Sequence, residues 1–162
     1  MPIPDQYNHG FNLGVGGAVV FDNRLLLVRR ASRRGRGNWQ IPGGFVELEE
    51  TIENAVIREV MEETGVIGEV TGLLGIRNRY SEDSGNSVYV IFLMAPISGE
   101  LKPDEREVDQ ANYFGLEEIL QLPQIPDINK EVATRALSPS PKLLDPYTLS
   151  HISGTEYTLF LG

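Results

Sequence analysis

Between Gly44 and Val66 the residues Gly44, Glu50, Arg58, Glu59, Glu62, Glu63 and Gly65 fall in the pattern G-x5-E-x7-R-E-V-x-E-E-x-G-V. On an α-helix, Glu59, Glu62 and Glu63 stand at i, i+3 and i+4, so they project from one side within about 6 Å along the axis. Carboxylates this close repel one another unless a cation neutralises them. A solvated acidic face is the plainer alternative. The rest of the helical wheel speaks against it. Ile52, Ala55 and Val56 lie on the same sector one to two turns earlier, and Ile57, Val60, Met61 and Thr64 form a second, largely apolar sector opposite. A helix apolar on both sides is sandwiched between other elements, and its three carboxylates are expected to point into a cleft. Hard divalent cations such as Mg2+ or Mn2+ prefer oxygen ligands, and Mg2+ is usually held by a few carboxylates together with substrate phosphates. The residue types therefore select a class of metal.

With apolar Val60 and Val66 also in place, the segment resembles the signature box of the Nudix hydrolases at every position. Trp39-Gln40-Ile41-Pro42-Gly43-Gly44 is similar to the stretch that leads into that box. Its glycines let the backbone turn tightly and approach a ligand, and Pro42 stiffens the approach. The resemblance implies an α/β fold, the α/β/α sandwich with a mixed β-sheet, and a divalent-metal-dependent hydrolase of pyrophosphate links. By resemblance, Glu59, Glu62 and Glu63 hold Mg2+ (or Mn2+), with the backbone carbonyl of Gly43 as a further ligand. Glu59 is the expected base toward the attacking water. A later acidic segment, Asp104-Glu105-Arg106-Glu107, offers Glu107 as a second catalytic carboxylate. Arg58 and Glu50 are expected to orient the carboxylates through hydrogen bonds and an ion pair, against the alternative of ordinary loop-to-helix charge pairing.

Composition narrows the function classes. The chain has 162 residues, 41% of them hydrophobic and 23% charged, which suits one domain over residues 1–162 with a core at about 12–137 and a tail from 138. No apolar run is long enough to span a bilayer, and Met1–Gly10 lacks the basic start and apolar stretch of a secretion signal, so a cytoplasmic protein without membrane contact is expected. Cysteine is absent, which excludes disulfides, thiolate nucleophiles and Cys-based zinc sites. A net charge of −9 disfavours nucleic-acid binding and leaves a small-molecule nucleotide as the expected partner.

Leu13–Phe21 and Leu25–Val28 read as two strands joined at Asp22-Asn23, and the box helix spans about Thr51–Thr64 with Gly65 as its stop. Leu73–Tyr80 and Val88–Ala95 read as strands around a polar turn, and Ala111–Phe114 as a shorter one. Leu116–Leu122 and Asp127–Leu137 read as helices. Beyond Leu137, Ser138-Pro139-Ser140-Pro141 is a linker, Pro146 interrupts again, and Tyr157–Leu161 is a possible terminal strand. The resemblance also implies a homodimer, to which the segment from Tyr147 could contribute by adding a strand or covering a sheet edge.

Arg29, Arg30, Arg33, Arg34 and Arg36 form a basic stretch in an acidic chain. Arginine forks match phosphate oxygens, and Arg29 and Arg30 are the expected contacts, while the rest, with Gly35 and Gly37, also fit a solvated loop. Arg77, Arg79 and Tyr80 are further candidates for phosphate or base contacts. Trp39 is expected in the core ahead of stacking on a base. His9 and His151 are given no role, and Gly14-Val15-Gly16 lacks the third glycine of a dinucleotide fingerprint.

Three functions stay open at this level. One is hydrolysis of a nucleoside diphosphate linked to another group, ADP-ribose-like compounds foremost. The second is hydrolysis of nucleoside triphosphates to a monophosphate and pyrophosphate. The third is non-catalytic nucleotide sensing, which the intact set of box carboxylates disfavours. Glu59→Gln and Glu63→Gln are expected to keep the fold, checked by circular dichroism, while lowering turnover at least about a hundredfold; near-normal rates in both would misplace the site.

Overall fold

The run Leu25-Leu26-Leu27-Val28 is fully buried, and a strand buried at every consecutive position must be covered on both faces. In the computed structural model, which describes residues 12–140 and, beyond them, the backbone of the strands Asp145–Thr148 and Glu156–Leu161, that cover is present. Met1–Gly10, His9 and His151 lie outside the described residues. The strand β1 (Asn12–Phe21) turns through Asp22 and Asn23 into β2 (Arg24–Arg30). Both turn residues have positive φ, 49° and 55°, and Phe21 pairs with Arg24, which defines a two-residue hairpin turn of the primed type. Two short strands follow, β3 (Trp39–Gln40) on β2 and β4 (Gly43–Phe45) antiparallel to the start of β1. Helix α1 (Ile52–Thr64) then leads directly into β5 (Val66–Ser81), β6 (Gly85–Gly99) and β7 (Val108–Phe114). Helices α2 (Leu116–Gln121) and α3 (Asp127–Ala136) precede β8 (Asp145–Thr148) and β9 (Glu156–Leu161).

The strands run β3-β2-β1-β6-β5-β9-β8, with β4 also pairing β1 and β7 also pairing β2. The β1–β6 pair is parallel and the other pairs are antiparallel, so the sheet is mixed. Strand periodicity sorts the core into two layers. Ala18, Leu25, Leu27 and Ile91 face Ile119, Val132 and Ala133 of α2 and α3. Their neighbours Val19, Leu26, Val28, Val90 and Phe92 face Ala55, Val56 and Val60 of α1. This is the expected α/β/α sandwich, and each fully buried aliphatic side chain stabilises it by about 1.5–3 kcal/mol. Among the described residues no helix is long and apolar enough to cross a membrane.

Several boundaries differ from the sequence expectation. Strand β5 begins at Val66, not Leu73, because it is carried past Gly68 and Gly72 by irregularities in its pairing with β6 that hide the alternating pattern. Strands β3 and β4 are too short for periodicity to mark them. Pro146 does not interrupt β8 but lies within it, paired in register with Phe160, as an edge strand permits. Met61 is 45% exposed, so the second apolar sector of α1 reduces to Val60 and Thr64 with partly buried Ile57.

Thr51 caps α1 by accepting the Asn54 N–H at 3.1 Å, and Gly65 ends it at φ 76°. A Cβ at Gly65 would collide with the Glu100 carbonyl oxygen as well as demand a left-handed conformation. Gly65→Ala is therefore expected to destabilise the fold by about 1–3 kcal/mol. Gly72→Ala, where a Cβ meets nothing within 4 Å, should change stability by no more than about 0.5 kcal/mol. Urea midpoints of the two variants check the contrast.

Candidate active site

The carboxylates of α1 face the glycines of β4 because α1 packs across β1 and β4. A cavity of about 380 Å³ opens there, lined by Gly43, Gly44, Glu59, Glu62, Glu63 and Glu107 among others. Glu63 is its most buried carboxylate, 5% exposed, and its Oε2 accepts the Gly43 N–H at 2.9 Å. Backbone neighbours require glycine at Gly43, and at Gly44 any side chain would push Glu59 aside. A Cβ at Gly44 would lie 2.5 Å from Glu59 Oε1, and one at Gly43 would strike the Val15 carbonyl oxygen. Asn129 of α3, itself buried, fixes the approach to these glycines by accepting the Ile41 N–H at 3.1 Å.

One guanidinium organises the acidic wall. Arg58 grips Glu50 with Nε at 3.0 Å and Nη2 at 2.6 Å, and its Nη1 reaches Glu59 at 2.9 Å and Glu62 at 3.3 Å. It also donates to the Phe45 carbonyl at 3.1 Å, tying the loop after β4 to the helix. The forked contact with Arg58, helped by the Glu47 N–H, holds the Glu50 carboxyl down to about 2. Glu59 shifts the other way: burial raises its pKa against the opposing pull of Arg58. Burial raises Glu63 further, to about 8, with the charges of Glu59 and Glu107 adding to the rise and the Gly43 N–H and Arg30 opposing it.

The three helix carboxylates are not equivalent. Glu59 and Glu63 face the cavity floor, while the Glu62 side chain is 53% exposed at the rim. Glu107 is also exposed and lines the cavity from its loop, where Asp104 Oδ1 accepts the N–H groups of Arg106 and Glu107 at 2.6 and 2.9 Å. Arg30 lines the cavity beside them. Arg29 does not, since consecutive strand residues point to opposite faces; it forms a forked pair with Asp109 at 2.8 and 3.0 Å. Tyr80 is likewise turned away, 42% exposed, whereas Arg79 beside it enters a second cavity. Trp39 is buried and packs edge-on against Phe114 at 5.0 Å.

Sequence reasoning passed over Gln40, Phe45 and Tyr89, which line these cavities. Tyr89 stands directly opposite Arg77 on the neighbouring strand, with the guanidinium 5.4 Å from its ring centre. Burial and the nearby Glu63 charge raise its pKa, so it stays a phenol and a hydrogen-bond donor. Only the alternation of β6, not any motif, would have brought it to attention.

The donor set fits a hard divalent cation. It consists of carboxylate oxygens at the floor and rim, one of them buried with a single backbone N–H as its hydrogen-bond donor. Among the described residues no three His, Asp or Glu side chains already converge in a coordination group. Arg58 holds Glu59 and Glu62, so closure on an ion requires their side chains to turn.

A family model for the NUDIX domain matches residues 11–136. The chain belongs to the Nudix family. It is 38% identical over 111 residues to an ADP-ribose pyrophosphatase of Methanocaldococcus jannaschii, a match covering 68% of this chain and 65% of that protein. It is 43% identical over 89 residues to a MutT-like protein of Streptomyces ambofaciens, covering 54% of each. The matched stretch thus spans less than two thirds of either relative. The fold agrees with that of a MutT Nudix hydrolase from Burkholderia pseudomallei with a TM-score of 0.67 at 29% identity, over 76% of this chain and 96% of that one. Nudix hydrolases generally use divalent metal ions.

Because burial pushes the Glu63 carboxyl up to about 8, an ion that binds it must displace a proton at lower pH. Affinity for Mn2+ is therefore expected to rise up to about tenfold per pH unit below pH 8 and to level off above it. Calorimetric titrations across that range check this, and a constant affinity would contradict it.

Proposed function

We propose that this chain is a Mg2+-dependent (or Mn2+-dependent) pyrophosphohydrolase that cleaves the diphosphate link of a nucleoside diphosphate joined to another group, with ADP-ribose-like compounds as the leading class. The observation that carries this is the buried Glu63, set beside Glu59 on one face of α1 against the β4 glycines and sharing its cavity with Arg30. Glu59, Glu62, Glu63 and the Gly43 carbonyl would hold the cation. A bound divalent ion supplies charge neutralisation on the phosphate oxygens and acidifies water.

The chain's own groups do the rest. In the reaction, a water oxygen forms a bond to one phosphorus as the bridging P–O bond breaks, and the water proton passes to a carboxylate. Glu59 suits that role because burial makes it a stronger base than an ordinary glutamate. Glu107, at the rim, is the second choice. Arg30, which lines the same cavity, can balance charge on the diphosphate. Arg58 and Glu50 set the direction of the helix carboxylates. The name of one relative, an ADP-ribose pyrophosphatase, supports the first reading; hydrolysis of nucleoside triphosphates to a monophosphate and pyrophosphate is the second. A homodimer and a cytoplasmic location complete the proposal. The dimer draws support from β8, which borders the sheet with one strand paired to it among the described residues.

Product analysis tests the reading. Incubation in Mg2+ with ADP-ribose, NADH, diadenosine polyphosphates and nucleoside triphosphates is expected to give AMP and ribose 5-phosphate from ADP-ribose at the highest kcat/KM. Monophosphate and pyrophosphate from triphosphates at a higher kcat/KM would favour the second reading, and inertness toward all would remove both.

A further inference from the structure

A second cavity, of about 540 Å³, adjoins the acidic one and shares Arg30, Gln40, Gly43, Gly44 and Phe45 with it. The two lobes have opposite character. Arg30, Arg34, Arg77 and Arg79 line the second, and no aspartate or glutamate does. In a chain with 23 acidic and 14 basic residues, such separation is not what composition supplies. Strand register builds it. Arg77 and Arg79 are two residues apart on β5 and point to one face, opposite Tyr89 and Ser87 of β6.

Charge in this lobe is not matched from within. Among the described residues no carboxylate lies within salt-bridge distance of Arg30, Arg34 or Arg79. The Nε atoms of Arg30 and Arg79 are buried without a hydrogen-bond partner. A buried, unpaired guanidinium N–H is costly unless a ligand satisfies it. A diphosphate bound at the glutamates can reach Arg30, which lines both lobes, but Arg34, Arg77 and Arg79 line only the second. The remaining wall includes Ile91, Ile128 and Val132, which suits the faces of rings.

We propose that the basic lobe receives a phosphomonoester carried by the substrate in addition to the diphosphate that is cut, with Arg79 and Arg34 as specificity-determining residues. The preferred substrates are then nucleoside diphosphate derivatives phosphorylated again on a sugar, not their unphosphorylated counterparts. This rests on the pyrophosphohydrolase reading for the position of the diphosphate, but the binding preference is measurable without turnover.

The test compares matched pairs that differ by one phosphate, NADPH with NADH and coenzyme A with dephospho-coenzyme A, by calorimetry on the full chain in EDTA and by kcat/KM in Mg2+. In at least one pair the phosphorylated member is expected to bind at least about tenfold more tightly, as a charge-assisted contact supplies. Arg79→Gln should bring that ratio toward one and Arg79→Lys should keep part of it. Arg24→Gln, which removes the same charge from an arginine paired with Glu118 away from the cavities, should leave it as in the parent. Because both members of a pair are measured on the same variant, misfolding would lower both and not mimic a change of ratio. Ratios near one in both pairs for the parent, or a ratio that persists in Arg34→Gln/Arg79→Gln, would overturn the proposal. Loss of all turnover with the binding preference intact would instead count against the pyrophosphohydrolase reading alone.

Discussion

A carboxylate that is 5% exposed, with the Gly43 N–H as its one hydrogen-bond donor among the described residues, is an expensive thing to fold around. Much about the neighbourhood of Glu63 follows from that expense. Its pKa rises because removal from water penalises the charged form, and the nearby Glu59 and Glu107 charges penalise it again. The glycines of β4 leave room for the helix carboxylates to approach the backbone, and no other residue type would leave that room. A protein built only for stability would fill this position with an aliphatic side chain, as it does with Val56 and Val60 on the same helix.

Arg58 limits the cost without removing it. It neutralises Glu50 and part of Glu59 and Glu62, fixing the loop after β4 to α1, but no hydrogen bond joins it to Glu63 among the described contacts. The site is thus divided into a side where one guanidinium ties three carboxylates together and a buried side that has no such partner among the described residues. The sheet extends the division. Alternating residues of β5 and β6 collect arginines in the adjoining lobe while the helix collects glutamates in the first. A phosphorylated ligand and a cation together complement such a surface better than either alone.

The sequence revealed the helix, its glycine stop, both hairpins and the acidic cluster, because each carries a local signal: a spacing, a stop residue or a turn. The strand and helix pattern alone reads only as α/β; the two-layer sandwich is implied by the family resemblance, and the burial of Leu25–Val28 on both faces is seen only in the structure. What stayed hidden depended on which face of a strand a residue takes. Arg29 and Arg30 looked alike as adjacent arginines, yet one pairs with Asp109 and the other lines the cleft. Arg79 and Tyr80 divide in the same way, and Tyr89 had no motif to announce it. Asn129, far along the chain, could be connected to Ile41 only once α3 was seen against the sheet. The inequality of Glu62 and Glu63 is likewise a matter of packing, because neighbouring positions on a helix differ by roughly 100° in direction.

We propose that the glutamates of α1 form a divalent-ion site against the β4 glycines. Crystals soaked in Mn2+ with a non-hydrolysable nucleoside diphosphate analogue test it directly through the anomalous signal of manganese. A peak within bonding distance of Glu59 and Glu63 carboxylate oxygens is the predicted result. Clear density for the analogue with no manganese peak beside those two side chains would contradict the account.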